Sequence, residues 1–272
     1  MMLSHKSNPP RPLPARLKIM DLTEWLPWYE RIVKTFCYDP RRDQYATDIL
    51  SQLLEGVAIP LAELRGMVEG KPVMVFGAGP SLREDIKTLV DHGLLDDFAK
   101  ISADGATTAL LEIAEKAPDI VVTDLDGIVS DLLKANRHGA VMVIHSHGDN
   151  IALIRRAVPK FRNKIGTTQT TPRPNVYNFG GFTDGDRAVF LSTELNARII
   201  VLAGMDFGST IGEYSKQEVK SVEVKRMKLK IGKELLSWLS TRTKIPLYNI
   251  TARGGEITGF NTVTVEEVMK MV

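Results

Sequence analysis

From Pro72 onward one rhythm repeats: a short apolar run, then glycines and acids, then a stretch of helical periodicity. Residues 73–76 lead into Gly77-Ala78-Gly79-Pro80-Ser81, Ile101-Ser102 into Ala103-Asp104-Gly105-Ala106, and 120–122 into Asp124-Leu125-Asp126-Gly127. Residues 141–144 lead into His145-Ser146-His147-Gly148-Asp149-Asn150, and 176–178 into Phe179-Gly180-Gly181-Phe182-Thr183-Asp184. Residues 199–202 lead into Ala203-Gly204-Met205-Asp206-Phe207-Gly208. Continuous apolar runs rich in β-branched residues suit strands buried on both faces. Helices are expected between them, at 81–91, 107–116 and 151–157. The alternation predicts an α/β, Rossmann-like fold: a mostly parallel sheet with helices on both faces. A further strand is expected at 246–250 and a terminal helix at 263–271.

In such sheets ligands bind beyond the carboxyl ends of the strands, near a topological switch point. The glycines and acids of this chain collect there. The sharpest loop holds Asp124 and Asp126, one residue apart. Strand alternation puts both on the same side of the backbone. Two carboxylates that close repel, more so when buried, and a hard cation such as Mg²⁺ relieves this. The plainer alternative is two solvated loop aspartates.

Gly77-Ala78-Gly79-Pro80-Ser81-Leu82 begins like a dinucleotide fingerprint, but Leu82 stands where the third glycine belongs. Glycines allow close backbone approach, and Ser81 can cap a helix whose exposed N–H groups attract a phosphate. A tight turn with an ordinary cap explains the same residues. Asp104 sits where a dinucleotide-binding fold holds a ribose hydroxyl, and it can equally reach a metal or a phosphate through one. His145 and His147 are alternate residues, but a structural zinc needs four N or S ligands and Cys37 is far away in sequence. Polar contact with a substrate suits His147 better, and a structural role suits at least one of the pair. A helix start capped by Thr183 accounts for Asp184, Asp186 and Arg187, with an Arg187–phosphate pair as the functional alternative. Residues 215–240 read as a long helix carrying Lys216, Lys220, Lys225, Arg226, Lys228, Lys230 and Lys233. Most should form a solvated face, with one or two reaching phosphates.

Before Pro72 the pattern is helical. Residues 1–15 are a Pro-rich lead-in, and apolar residues from Trp25 to Phe36 and from Ile49 to Val57 recur at helical spacing. Asp39-Pro40 breaks the first helix. The organisation expected is a helical N-terminal region over 1–70 and an α/β catalytic domain over 71–272. A net charge of +2 in 272 residues gives no case for a nucleic-acid partner. The single cysteine fits a reducing compartment, and no apolar stretch is long enough to span a membrane. The start of the chain has no signal-peptide h-region, so a cytoplasmic protein is expected. A homo-oligomer is left open.

Five motifs taken in order resemble the archaeal 6-hydroxymethyl-7,8-dihydropterin pyrophosphokinase family. They are Gly-Ala-Gly-Pro-Ser-Leu, Thr-Asp-Leu-Asp-Gly, His-Ser-His-Gly-Asp-Asn, Asn-Phe-Gly-Gly-Phe-Thr-Asp-Gly-Asp-Arg-Ala and Gly-Met-Asp-Phe-Gly. The resemblance spans about 71–260. More distantly, Ala103 to Ala106 and Thr123 to Gly127 are similar to two acidic loops of thiamine pyrophosphokinase catalytic domains. Their third acidic loop is replaced here by His145 to Asp149. The resemblance implies transfer of a diphosphate from MgATP to the hydroxymethyl group of a dihydropterin, with release of AMP, in tetrahydromethanopterin or folate-type cofactor synthesis. It implies Mg²⁺ on Asp124, Asp126 and either Asp104 or Asp149, with Asp126 or Asp149 taking the hydroxyl proton. ATP phosphates would meet Gly77, Gly79, Ser81, Asp104 and Arg187. The pterin would meet His147, Phe179, Phe182 and Asp206, with Phe207 a further stacking candidate.

Two other readings stand beside it. Asp-Leu-Asp-Gly is similar to the nucleophile loop of haloacid-dehalogenase-type phosphohydrolases, where Asp124 would be phosphorylated and Asp126 would be the acid/base. That family usually carries the loop on its first strand and a threonine after the glycine, where Ile128 stands here. The other reading is a non-catalytic nucleotide-binding module built on the Gly77 loop.

Overall fold

The structure, a computed structural model, describes residues 20–208, 212–215, 222–251 and 254–272. Three helices come first: α1 (Leu22–Phe36), α2 (Pro40–Leu54) and α3 (Leu61–Val68). The alternating part then runs β1 (Pro72–Phe76), α4 (Leu82–Asp91), β2 (Ala99–Ala103), α5 (Ala106–Ile113), β3 (Ile120–Thr123), α6 (Val129–Arg137) and β4 (Val141–Ser146). It continues with α7 (Ile151–Ala157), β5 (Lys164–Thr168), β6 (Val176–Tyr177), α8 (Asp184–Glu194) and β7 (Ile199–Ala203). The chain closes with α9 (Val222–Ser240), β8 (Leu247–Asn249), β9 (Asn261–Thr262) and α10 (Val265–Val268). The long lysine-bearing helix is α9; residues 216–221 of its expected start, and the Pro-rich lead-in, lie outside the described residues.

The nine strands form one sheet in the order β6-β5-β4-β3-β2-β1-β7-β8-β9, with every ladder parallel. The order reverses between β1 and β7. Parallel crossovers are right-handed, so reversing the direction of travel moves the helices to the opposite face. The packing follows that rule. Val73 and Val75 of β1 face a core shared with α1, α3, α8 and α9, while Met74 and Phe76 face one shared with α4, α5 and α10. α2, α6 and α7 cover the second face over β3 and β4.

α1 and α2 begin on capping aspartates. Asp21 accepts from Thr23 N at 2.9 Å, and Asp39 accepts from Arg41 N at 2.9 Å with Pro40 as the first helical residue. α1 buries Trp25, Tyr29 and Ile32 on one face of the sheet, and α2 buries Ala46, Leu50 and Leu54 on the other. The turn between them therefore crosses the carboxyl edge. β5 has a single aliphatic residue, Ile165, which is why its sequence does not read as a strand. Its other face is thinned to glycine: a Cβ on Gly166 would lie 2.7 Å from Val176 Cγ2 and 3.0 Å from Leu50 Cδ2. Gly166→Val should overpack this seam and lower stability by about 1–3 kcal/mol, measured by urea unfolding. Unchanged stability would show that α2 is not docked this closely.

Candidate active site

The loops that follow the strands meet over a cavity of about 970 Å³ at the carboxyl edge, where the strand order reverses. Its centre is acidic. Asp104 follows β2, Asp124 and Asp126 follow β3, and one carboxylate oxygen from each lies within 4.8 Å of the others. The backbone is bent to bring them there: φ is +32° at Asp104 and +71° at Leu125. Thr123 Oγ1 donates to Asp104 Oδ1 at 2.5 Å and accepts from Leu125 N at 2.8 Å, tying the two loops together. Gly127 has to be glycine, because a Cβ there would lie 2.3 Å from Asp104 Oδ2. His147 Nε2 stands 3.4 Å from Asp124 Oδ2, and His147 Nδ1 accepts from Asp149 N at 3.3 Å. Asn150 braces β3 against β4 by donating to the carbonyls of Asp124 (2.8 Å) and His145 (2.7 Å).

The charges are unevenly shared. Burial, and then the Asp124 carboxylate, push Asp104 well above the ordinary carboxylate range. Burial works the same way on Asp124, but the His147 hydrogen bond and the Asp126 side chain and amide outweigh it and hold Asp124 down to about 2. Asp184, at the start of α8, is raised well above the usual range by burial and by Asp124, Asp104 and Asp126. Three converging carboxylates, one of them held well above its ordinary range by its neighbours, suit a hard divalent cation with oxygen ligands.

The Gly77 loop lines the cavity, but its polar groups turn the other way. Gly77 N donates to Ala203 O at 2.9 Å and Gly79 N to Gly204 O at 2.8 Å, so neither N–H is left for a phosphate. The glycines are required by the loop after β7: Cβ atoms would lie 2.4 Å from Met205 Sδ at Gly77 and 2.0 Å from Asp206 Oδ2 at Gly79. Ser81 is buried and makes no cap bond to α4; its hydroxyl lies 3.0 Å from both Asp85 Oδ2 and Asp206 Oδ2, and its N–H reaches Asp206 at 3.2 Å. Asp206 thus occupies the anion position at the N-terminus of α4 that the sequence offers to a phosphate.

Arg187 does not line the cavity. It is fully buried beneath it, with donors to His145 Nε2 (3.1 Å), Gly180 O (3.3 Å) and Phe182 O (3.2 Å). Burial lowers it to about 10 despite Asp186 and Asp184, and burial together with this guanidinium holds the His145 imidazole well below its usual value. Phe179 is also in the core, packed beside Tyr177 rather than against the cavity. Phe182, Asp149, Asp206 and Phe207 do line it. Of the lysines on α9, Lys225 and Lys228 line the cavity; Lys225 Nζ bonds Ser215 Oγ, and Lys228 Nζ stands 5.9 Å from the Phe182 ring.

The α1–α2 turn supplies a wall not anticipated from sequence. Asp43, buried at the start of α2, accepts from Gly148 N (2.7 Å), Tyr29 Oη (2.8 Å) and Gln169 Nε2 (2.8 Å), while Arg42 donates to Gly148 O (2.9 Å). The one signal was the Asp39-Pro40 helix start, which fixes where Arg42 and Asp43 fall in the first turn.

Fold and site together define an α/β enzyme of Rossmann type with an acidic centre at the switch-point edge. The Thr-Asp-Leu-Asp-Gly loop follows the third strand, away from the first-strand position of the dehalogenase-type nucleophile loop. The chain belongs to the 6-hydroxymethylpterin diphosphokinase MptE-like family, whose description matches residues 48–212. It is 46% identical over 226 residues to the 6-hydroxymethyl-7,8-dihydropterin pyrophosphokinase of Methanothermobacter thermautotrophicus, covering 81% of this chain and 95% of that protein. It is 47% identical over 239 residues to the protein of that name from Pyrococcus furiosus (85% and 100% covered), and 40% over 238 residues to that of Methanocaldococcus jannaschii (83% and 98%). Among solved structures, a Maf glycosyltransferase from Magnetospirillum magneticum AMB-1 shares the fold alone, with a TM-score of 0.51 and 15% identity over 81% of this chain and 39% of that one. Among the described residues no helix is long and apolar enough to cross a membrane.

The raised Asp104 and Asp184 give a sign to the cation's effect. A carboxyl group raised on folding adds stability below its ordinary range, and that contribution fades as pH rises through the raised value. A bound cation removes the repulsion and competes with the protons. Adding Mg²⁺ should therefore raise the melting temperature more at pH 8 than at pH 5.5, by differential scanning fluorimetry. An equal shift at both pH values would place the cation elsewhere.

Proposed function

We propose that the protein is a 6-hydroxymethyl-7,8-dihydropterin pyrophosphokinase, transferring diphosphate from MgATP to the hydroxymethyl oxygen and releasing AMP. The observation that carries this is its match, over nearly their full length, to three relatives of that name. The acidic centre supplies the chemistry such a transfer needs. Asp104, Asp124 and Asp126 are the proposed Mg²⁺ ligands, and their hard oxygen donors at close quarters fit that ion. Bound there, Mg²⁺ would offset the negative charge of the polyphosphate.

The residues of the chain do the rest. The hydroxymethyl oxygen attacks the β-phosphorus, the bond from that phosphorus to the oxygen bridging to the α-phosphorus breaks, and AMP leaves with that oxygen. Catalysis of such a step is mostly positioning and charge neutralisation. His147 holds Asp124 ionised and in place. Lys225 and Lys228 meet the phosphoryl oxygens from the α9 side, replacing Gly77, Gly79, Ser81 and Arg187, whose donors are turned inward. Asp149, exposed on the cavity wall, takes the hydroxyl proton. The nucleotide lies against the β1 and β7 loops at the switch point, within reach of Asp206.

Incubation with MgATP and 6-hydroxymethyl-7,8-dihydropterin should give AMP and a product heavier by a diphosphate. Asp126→Asn should cut AMP formation by about a hundredfold or more, on the order of a lost transition-state charge contact. ATP binding without AMP would point to a nucleotide-binding module, and a trapped phosphoaspartate at Asp124 to a phosphohydrolase. Undiminished turnover in Asp126→Asn would remove that residue from the metal site.

A further inference from the structure

A single turn separates an arginine on the outside of the molecule from a lysine that lines the cavity. The turn is 212–215, between β7 and α9, and it is closed by Ser215 N donating to Gly212 O at 3.1 Å. Gly212, Tyr214 and Ser215 line the cavity. The inner side of the turn rests on the loops after β1 and β2. A Cβ on Gly105 would lie 1.9 Å from Tyr214 O, and one on Gly212 would lie 2.2 Å from Ala78 O, so backbone meets backbone at both glycines. The outer side is held by Arg83, in the first turn of α4. Its Nε and Nη2 donate to the two carboxylate oxygens of Glu213, each at 2.9 Å, and Nη2 also donates to Tyr214 Oη at 2.6 Å. The guanidinium carbon lies 5.4 Å from the centroid of the Tyr214 ring, and Tyr214 Oη in turn donates to Glu112 Oε2 on α5 at 3.0 Å. Arg83 and Glu213 are both well exposed, and exposed ion pairs add little to stability. A forked pair, a ring contact and a tyrosine bridge on one short turn fix its geometry instead.

What the turn holds is the charge of Lys225. Ser215 Oγ accepts from Lys225 Nζ, and both residues line the cavity. Lys225 stands in the first turn of α9. A lysine carries its charge on a flexible four-carbon stem, so the ammonium is placed by what it touches. Burial lowers this ammonium from its ordinary value and the Asp126 carboxylate works against that, which puts the charge within electrostatic range of the acidic centre. We propose that Arg83 is a positioning residue for the diphosphate transfer: by latching the 212–215 turn to α4 and α5 it sets where the Lys225 ammonium meets the polyphosphate. Contact runs unbroken from Arg83 through Glu213 and Tyr214 to Ser215 and then to Lys225. Arg83 itself does not line the cavity and touches no reacting atom. This rests on the diphosphotransfer reading above, in which Lys225 contacts the phosphoryl oxygens.

The test is a double-mutant cycle read by AMP release from MgATP and 6-hydroxymethyl-7,8-dihydropterin. Arg83→Ala should lower kcat/KM for ATP by about tenfold, within the cost of a small misplacement of a charged group, and leave KM for the alcohol unchanged. Lys225→Met should lower kcat/KM for ATP at least as much. Adding Arg83→Ala to Lys225→Met should bring less than about a twofold further loss, because a residue that acts through another has nothing left to act on. A merely structural role for Arg83 would multiply the two losses. Should circular dichroism show that Arg83→Ala does not fold, Glu213→Gln carries the same cycle from the other end of the pair. The assignment is overturned by undiminished kcat/KM in the folded variant, by a full further loss in the Lys225→Met background, or by a KM for the alcohol raised together with that for ATP. Wild type that releases no AMP with this alcohol would instead overturn the reading on which the assignment rests.

Discussion

Three carboxylates held within 4.8 Å of one another are the constraint around which the rest is built. Left alone they would separate, and the fold prevents it by several independent means. Parallel pairing of β2 with β3 brings the two loops side by side. Thr123 ties them, Gly127 leaves room for the Asp104 carboxylate, and left-handed backbone at Asp104 and Leu125 turns the side chains toward one point. Local strain of this kind survives only where neighbours over-determine it.

The same edge holds a motif whose polar groups turn away from the cavity it lines. The glycines after β1 lie at the switch point, where a phosphate loop would lie. Yet their N–H groups are spent on the β7 loop, and Asp206 supplies the negative charge at the α4 terminus. The seam between β1 and β7 is thereby sealed by the chain itself. It is a wall of the cavity, and among the described residues Lys225 and Lys228 bring positive charge to that cavity from α9.

The parallel sheet was legible because its central strands are apolar on both faces, and the acidic loops were legible because they follow those strands at once. β5 was hidden: Lys164 and Gly166 interrupt its apolar run, since glycine fits beneath α2, and Thr168 joins a hydroxyl cluster with Thr47. Asp43 and Gln169 were hidden for a different reason. Only the Asp39-Pro40 helix start points toward Asp43, nothing local marks Gln169, and apart from Tyr29 on Asp43 their partners lie more than a hundred residues away. Arg187 and Phe179 were visible as residue types of functional character, but sequence does not tell a buried brace from an exposed ligand.

The α1–α2 pair straddles the sheet and is pinned by contacts from Trp25 to Gln169, Asp43 to Gly148 and Asp43 to Gln169. During synthesis these helices emerge first, yet every one of those partners emerges after β4 has been made. Their apolar stripes must wait unpaired while most of the sheet assembles. Helices made before the sheet are thus seated only after its first strands are in place, and the wall beside Gln169 closes only once the chain has been made past β5.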